Sequence, residues 1–193
     1  MVRSWFKAGL VAGLLAASSA FAANVTYLIE GNGSATLAGT LLQGAFEIRL
    51  VGDPATVSAP SGSPEISNLV SASVSFNGGA AAVISGPTRL GIFDQTAVYF
   101  GVSGRDYFDF YIPASSAFDF SAPFGPVQGT NVFALSQFQN VDTSLGALSW
   151  GTSGNVLFSA SGGGVAVVPL PGAALLLLGG LGLIGAMGRR KRA

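Results

Sequence analysis

The stretch Phe46-Glu47-Ile48-Arg49-Leu50 decides the fold class, because its apolar and charged side chains alternate with a period of two. Residues 70–76 repeat the pattern with valine, alanine and phenylalanine against serine, and residues 107–112 repeat it with aromatic and polar side chains. Such alternation is typical of β-strands that bury one face and expose the other. We therefore predict that Phe108, Phe110 and Ile112 face a core, and that Tyr107, Asp109 and Tyr111 face water.

The same reasoning extends to a chain of short strands separated by turn signals. Further strands are predicted at 25–30, 35–42, 81–85, 97–102, 131–138, 147–150 and 155–160. Glycine, asparagine and proline mark the turns, among them Gly31-Asn32-Gly33, Gly125-Pro126 and the hairpin turn Asn77-Gly78. Short strands at this spacing predict an all-β ectodomain over 24–160, an antiparallel β-sandwich or jelly roll, followed by a linker over 161–167.

The N-terminus has the three parts of a secretory signal peptide. Arg3 and Lys7 provide a positive start, and an apolar run follows from Ala8 to Ala17. Ala20-Phe21-Ala22 then fits the small-residue rule for cleavage. We predict a helical signal peptide over 1–23, cut after Ala22 or Ala23.

The C-terminus carries a second membrane-directed segment. Residues 170–188 contain no charge, and as a helix they would extend about 28 Å, the thickness of a bilayer core. Four cations follow, Arg189, Arg190, Lys191 and Arg192, and they should hold this end in the cytoplasm. Pro169 and Pro171 keep the preceding stretch extended, in a form that a protease could bind. An ordinary single-span membrane anchor is the alternative.

The motif Val168-Pro169-Leu170-Pro171-Gly172, the apolar span and the basic end together resemble a PEP-CTERM sorting signal of the Val-Pro-Leu-Pro type. The resemblance covers residues 168–193. It implies a Gram-negative bacterium, processing by signal peptidase and an exosortase, and an inner-membrane precursor with a cytoplasmic C-terminus. It further implies a secreted or cell-surface product that works in an exopolysaccharide or biofilm matrix, in a structural or adhesive role. A carbohydrate-binding module on the cell surface is the alternative function.

Composition excludes several classes of chemistry from the ectodomain. Histidine and cysteine are absent from the sequence, so Ser-His-Asp triads, cysteine nucleophiles and the usual zinc sites are excluded. Lysine occurs only at Lys7 and Lys191, outside the ectodomain. Three arginines against nine acids leave the ectodomain with a formal charge of −6, which disfavours binding to nucleic acid.

Carboxylates are the remaining candidates for chemistry. Asp106, Asp109 and Asp119 form the nearest group, but a spacing of three on a regular strand would put Asp106 and Asp109 on opposite faces, so we expect solvated surface residues and no catalytic site. Loop oxygens could suit calcium, although no calcium-loop motif is present. The carboxylates considered for calcium are Asp53, Asp94, Asp106 and Asp142.

Aromatic side chains on a wet face are the best candidates for a ligand. Tyr107 and Tyr111, with Asp109 between them, are predicted to form such a patch. Trp150 is expected to lie in the core instead, because Leu148 shares its face of the strand. No cofactor is predicted.

Overall fold

The computed structural model describes residues 24–59, 62–94, 96–113 and 118–162, and these ranges form an all-β structure. The strands are Val25–Leu37 (β1), Thr40–Gly52 (β2), Val57–Ser58 (β3), Glu65–Ile66 (β4), Ser71–Phe76 (β5), Ala82–Val83 (β6), Arg89–Phe93 (β7), Ala97–Val102 (β8), Arg105–Tyr111 (β9), Phe124–Phe133 (β10), Val141–Thr143 (β11) and Gly146–Gly162 (β12). Helical structure in the described ranges is limited to the short 3-10 turns Pro54–Thr56 and Leu135–Gln137. The described residues contain no helix that is long and apolar enough to cross a bilayer.

All strands pair in one antiparallel sheet with the order β3-β4-β7-β8-β9-β10-β12-β1-β2-β5-β6, and β11 pairs with β12 at the side. The sheet is strongly curled. β2 and β9 are four positions apart in this order, a separation of about 19 Å if the sheet were flat. The ring centroids of Phe46 on β2 and Phe108 on β9 are nevertheless 5.7 Å apart. The concave face therefore closes on itself and encloses the core.

Aromatic rings dominate the centre of this core. Trp150 is buried and lies edge-on to Phe46 at 4.9 Å and to Phe108 at 5.2 Å, measured between ring centroids. Its other face stacks on Phe138 at 5.2 Å. Leu148 is buried on the same strand. The prediction that Trp150 is a core residue is confirmed.

The period-two alternation is confirmed on β2 and β5. Phe46, Ile48 and Leu50 are buried while Glu47 and Arg49 lie toward solvent, and β5 alternates in the same way. The two strands pair in register, with Phe46 opposite Phe76. The hairpin turn at Asn77-Gly78 is also confirmed, because both residues have positive φ and the Gly79 amide donates to the Phe76 carbonyl at 2.9 Å.

The first hairpin differs from the prediction. β1 continues through Gly31-Asn32-Gly33, where a turn was expected, and the chain reverses at Ala38-Gly39, inside the predicted strand 35–42. The two glycines fit the strand for a steric reason. A Cβ on Gly31 would lie 2.9 Å from the Phe46 ring, and a Cβ on Gly33 would overlap the Thr152 carbonyl oxygen. Here glycine marks a bulged strand instead of its end.

Two later boundaries also differ from the prediction. β10 begins at Phe124, before the expected turn at Gly125-Pro126, and ends at Phe133, so that part of the predicted strand 131–138 is a 3-10 turn. β12 is a single strand where two were expected, and it ends at Gly162, two residues past the predicted end of the ectodomain. The predicted signal peptide 1–23 with Ala20, Ala22 and Ala23, residues 163–167 of the predicted linker, and the sorting tail 168–193 lie outside the described residues.

Candidate functional site

A group of charged and polar side chains spans four neighbouring strands on the convex face of the sheet. We call it the Arg89 cluster, and its members are Glu65 on β4, Arg89 on β7, Tyr99 on β8, and Asp106 and Asp109 on β9. Strand register places them on one face: Glu65 pairs with Gly91, Gly91 with Tyr99, and Tyr99 with Asp109. Arg89 pairs with Gly101, and Gly101 with Asp106, which makes an adjacent row.

Arg89 holds the cluster together. Its Nη1 lies 3.1 Å from Glu65 Oε2 and its Nη2 lies 2.7 Å from Asp106 Oδ1. The guanidinium also lies over the Tyr99 ring, 5.1 Å from the centroid. The Tyr99 hydroxyl donates to Glu65 Oε2 at 2.7 Å. Gly91 leaves the space that this tyrosine needs, because a Cβ there would overlap the Tyr99 ring.

Glu65 is buried and ionised within this network. Burial opposes ionisation, but hydrogen bonds from Tyr99 and Ser67 together with the charge of Arg89 outweigh it and lower the pKa of Glu65. The same environment raises the pKa of Tyr99, first by burial and then by its hydrogen bond to Glu65. A carboxylate that receives several hydrogen bonds and faces a cation is stable as an anion even when it is buried.

Asp109 has the opposite environment. Its side chain is buried between its register partners Tyr99 and Phe133, and its Oδ1 makes no hydrogen bond to the described part of the protein. Burial and, secondly, the negative charge of Asp106 raise the pKa of Asp109 to about 7, against a partial offset from Arg89. The carboxyl is therefore about half protonated near neutral pH.

A β-bulge on β9 explains why the predicted faces of this strand are partly wrong. Phe108 pairs with Phe100, but the next pair is Asp106 with Gly101, so Tyr107 is an extra residue. The bulge brings Asp106 onto the same face as Asp109, where the sequence predicted opposite faces. It also turns Tyr107 into the core, where its ring stacks on Phe138 at 4.8 Å.

Of the three residues predicted to form a ligand patch, only Tyr111 is exposed. Tyr107 and Asp109 are both buried, so the prediction that they face water is wrong, whereas Tyr111 is 44% exposed. Two phenylalanines that sequence reasoning did not select accompany it on this face, Phe133 at 40% and Phe93 at 64% exposure. We call Phe93, Tyr111 and Phe133 the aromatic patch.

The geometry of the aromatic patch follows from register. The rings of Tyr111 and Phe133 are 5.4 Å apart and inclined by 32°. Phe93 pairs with Ala97 and Ala97 with Tyr111, so a small side chain separates the two larger rings. Since Phe133 pairs with Asp109, the patch adjoins the Arg89 cluster directly. Adjacent exposed apolar rings beside polar groups are typical of a binding surface.

The other predicted carboxylates lie apart from the Arg89 cluster. Asp119 closes a turn by accepting hydrogen bonds from the amides of Ser121 and Ala122. These hydrogen bonds, chiefly the one from Ser121, lower the pKa of Asp119. Its side chain lies near Tyr27 and not near the Arg89 cluster. Asp53 caps the turn that begins at Pro54. Asp94 and Asp142 lie after β7 and on β11. Across the described ranges, no three acidic side chains converge as metal ligands would.

A cleft of about 290 Å³ lies on the same convex face, where β10, β12 and β1 are neighbours. Its lining residues are Glu30, Gly31, Asn32, Gln128, Asn155, Val156 and Leu157. The cleft lies at a bulge between β1 and β12: Gly31 pairs with Val156 and Gly33 with Ser153, so two residues of β12 face Asn32 alone. We call it the amide cleft, because Asn32, Gln128 and Asn155 are exposed there.

Comparisons with known proteins leave the site to be interpreted from its own geometry. The chain matches no protein-family model, no curated protein and no solved structure.

Proposed function

We propose that the protein is a secreted, exosortase-processed surface or extracellular-matrix protein of a Gram-negative bacterium, and that its ectodomain adheres to polysaccharide through the aromatic patch. The two terminal segments support secretion and processing, because a signal peptide and a Val-Pro-Leu-Pro sorting motif resemble the signals for those steps. Signal peptidase, an exosortase and an exopolysaccharide are the partners in this proposal.

The aromatic patch is the observation that carries the adhesive role. Sugar rings have apolar faces of C–H groups that pack on aromatic side chains, while their hydroxyls need polar neighbours. Phe93, Tyr111 and Phe133 offer three exposed rings on one face of a sheet. Strand pairing fixes the backbone that carries these rings, so little backbone entropy is lost when a ligand binds.

We propose binding without catalysis. A glycosidase needs two carboxyl groups that reach the scissile bond. Asp109 has the raised pKa of a general acid, but its side chain is 7% exposed, and Asp106 is held by Arg89. Asp109 is therefore too buried, and Asp106 too firmly paired, to protonate or attack a glycosidic bond. Assays for new reducing ends on each bound polysaccharide should therefore show no turnover, and turnover abolished by Asp109→Asn would contradict this part of the proposal.

The curled sheet also supports a finer description of the ectodomain, which we propose to be a β-sandwich of the jelly-roll kind. β10 pairs with β12 through residues 124–129 and with β9 from Thr130 to Phe133. A strand that changes partner at a bulge forms the corner between two packed layers. The layers would be β4-β7-β8-β9 and β12-β1-β2-β5.

Binding is tested on single variants of the aromatic patch by affinity electrophoresis in gels that contain dextran, a mixed-linkage β-glucan or alginate. Phe93→Ala, Tyr111→Ala and Phe133→Ala should each weaken binding about fivefold, since one lost ring contact costs about 1 kcal/mol. Leu41→Ala is the matched control, because Leu41 is 63% exposed and Phe93 is 64% exposed. Equal mobility of all variants, or the same loss in the control, would refute the adhesive role.

Processing is tested by the intact mass of the protein from cells and from medium, in the wild type and in the double variant Pro169→Ala/Pro171→Ala. We expect a species that lacks the first 22 or 23 residues and everything beyond about residue 171, and its loss in the double variant. Pro123→Ala, an exposed proline of the ectodomain, is the control and should be processed normally. A mass that still includes Arg189–Arg192 would indicate a plain membrane anchor instead.

A further inference from the structure

The amide cleft and the aromatic patch adjoin each other on the convex face, on either side of the point at which β10 changes its pairing partner. Gln128 pairs with Leu157, and Leu157 with Glu30, so these three side chains form one row across β10, β12 and β1. Thr130 lies two residues beyond Gln128 on β10 and pairs with Tyr111 of the patch. With about 3.3 Å per residue and about 4.8 Å between strands, the Cα atoms of Gln128 and Tyr111 are about 8 Å apart.

The two surfaces are chemically complementary. The patch presents aromatic faces and few hydrogen-bonding groups, whereas the amide cleft presents three amides that can both donate and accept. Leu157 is 48% exposed and gives the cleft one apolar wall. A cleft that adds hydrogen bonds beside a stacking surface fits a chain that is longer than one sugar ring.

The charges along this face narrow the class of glycan. Glu30 lies in the cleft, and the Arg89 cluster sets Glu65, Asp106 and the half-protonated Asp109 against one arginine. The ectodomain as a whole has nine acids and three arginines. A uronic-acid or sulfated polymer would meet repulsion at both ends of the surface, whereas neutral sugars would meet none.

We propose that the amide cleft and the aromatic patch are two subsites of one binding surface for a neutral polysaccharide, whose sugar rings stack on Phe93, Tyr111 and Phe133 and whose hydroxyls bond to Asn32, Gln128 and Asn155. The inference rests on the proposed adhesive function and adds its ligand class and the length of its site. A monosaccharide or disaccharide fills the patch alone. A longer chain also reaches the cleft and binds more tightly.

The experiment measures affinity against chain length by isothermal titration calorimetry, with β-glucan oligosaccharides from the disaccharide to the hexasaccharide and a matched series of oligouronates. The wild type should bind the neutral hexasaccharide more tightly than the disaccharide, and the oligouronates weakly at low salt. Gln128→Ala and Asn155→Ala should weaken binding of the hexasaccharide about tenfold and leave the disaccharide unchanged. Tyr111→Ala should weaken both, because it belongs to the shared subsite.

Gln43→Ala on β2 is the matched control, since Gln43 is an exposed strand glutamine that does not line the cleft. All these side chains are exposed, so their variants should keep the melting temperature of the wild type. If the two cleft variants bind the hexasaccharide with wild-type affinity while Tyr111→Ala binds it more weakly, the second subsite is overturned and the adhesive function is left intact. Tighter binding of the oligouronates would overturn the neutral class. Failure of every oligosaccharide to bind, with the polymers also unbound, would overturn both proposals.

Discussion

Asp109→Asn is expected to stabilise the protein above neutral pH while changing its stability little in acid. Asp109 is buried, one of its carboxyl oxygens has no hydrogen-bond partner in the described ranges, and its pKa is raised from 3.8 to about 7 by burial and by Asp106. The groups around it are Arg89, Tyr99 and Asp106. Asparagine has nearly the same shape as the protonated acid but does not ionise.

The sign follows from proton linkage. The folded state keeps the Asp109 proton up to a pH of about 7, whereas the unfolded chain releases it near 3.8. This group therefore lowers the free energy of unfolding progressively between these two pH values, and the penalty stays constant above them. A difference of about 3 units corresponds to about 4 kcal/mol. Allowing about 1 kcal/mol for an amide hydrogen without a partner, we expect a gain of about 3 kcal/mol at pH 8.

The assay is urea unfolding of the wild type and the variant at pH 4 and pH 8, followed by tryptophan fluorescence from buried Trp150. The variant should exceed the wild type in stability at pH 8 and match it within about 1 kcal/mol at pH 4. Asp142→Asn, at an exposed position of β11, controls for the loss of one negative charge. Equal effects of Asp109→Asn at both pH values would show that the carboxyl ionises freely in the folded protein.

Two further substitutions test the Arg89 cluster as a structural unit. Arg89→Leu leaves the buried Glu65 without its cation, so we expect the free energy of unfolding, measured with a chemical denaturant, to fall by about 3 kcal/mol. Arg49→Leu removes an exposed ion pair and should cost less than about 1 kcal/mol. Similar costs for the two variants would show that the buried ion pair is no more important to stability than the exposed one. Gly91→Ala forces the Tyr99 ring out of its place, so we expect the free energy of unfolding to fall by about 2 kcal/mol. The near-ultraviolet circular dichroism of tyrosine should also change. An unchanged spectrum would show that the strand accommodates the methyl group without moving the ring.

The fold class could be predicted because burial on one face leaves a period of two in the sequence. β2 and β5 show it clearly, and the Asn77-Gly78 turn is encoded locally by residues that accept positive φ. The first hairpin could not be predicted in the same way. Its turn uses Ala38, which has no special preference for positive φ. The glycines at 31 and 33 are required by close contacts with Phe46 and with β12, which are distant in sequence.

The candidate site was predicted only in part, for a related reason. One bulge at Tyr107 reverses which side chains of β9 share a face, and a bulge is set by pairing with β8 that the sequence of β9 does not reveal. Glu65 and Arg89 lie on β4 and β7, which are not among the strands predicted from the sequence. Composition alone offers a weaker signal, because an acidic ectodomain with only three arginines must give one of them as a partner to any glutamate that is buried.

The scarcity of charge suggests how stability and binding are divided on the convex face. Arg89 is largely buried, and its two ion pairs join β4, β7 and β9, which are not consecutive in the chain. Such a network fixes the relative positions of strands, because a slip of one residue would move its members to the opposite face. Phe93 and Tyr111 of the aromatic patch lie on β7 and β9, which are fixed in this way, and Phe133 lies on the neighbouring β10. The three rings themselves contribute little to folding because they are exposed. Substitutions in the cluster should therefore change stability first and affinity through it, while substitutions in the patch and the amide cleft should change affinity alone.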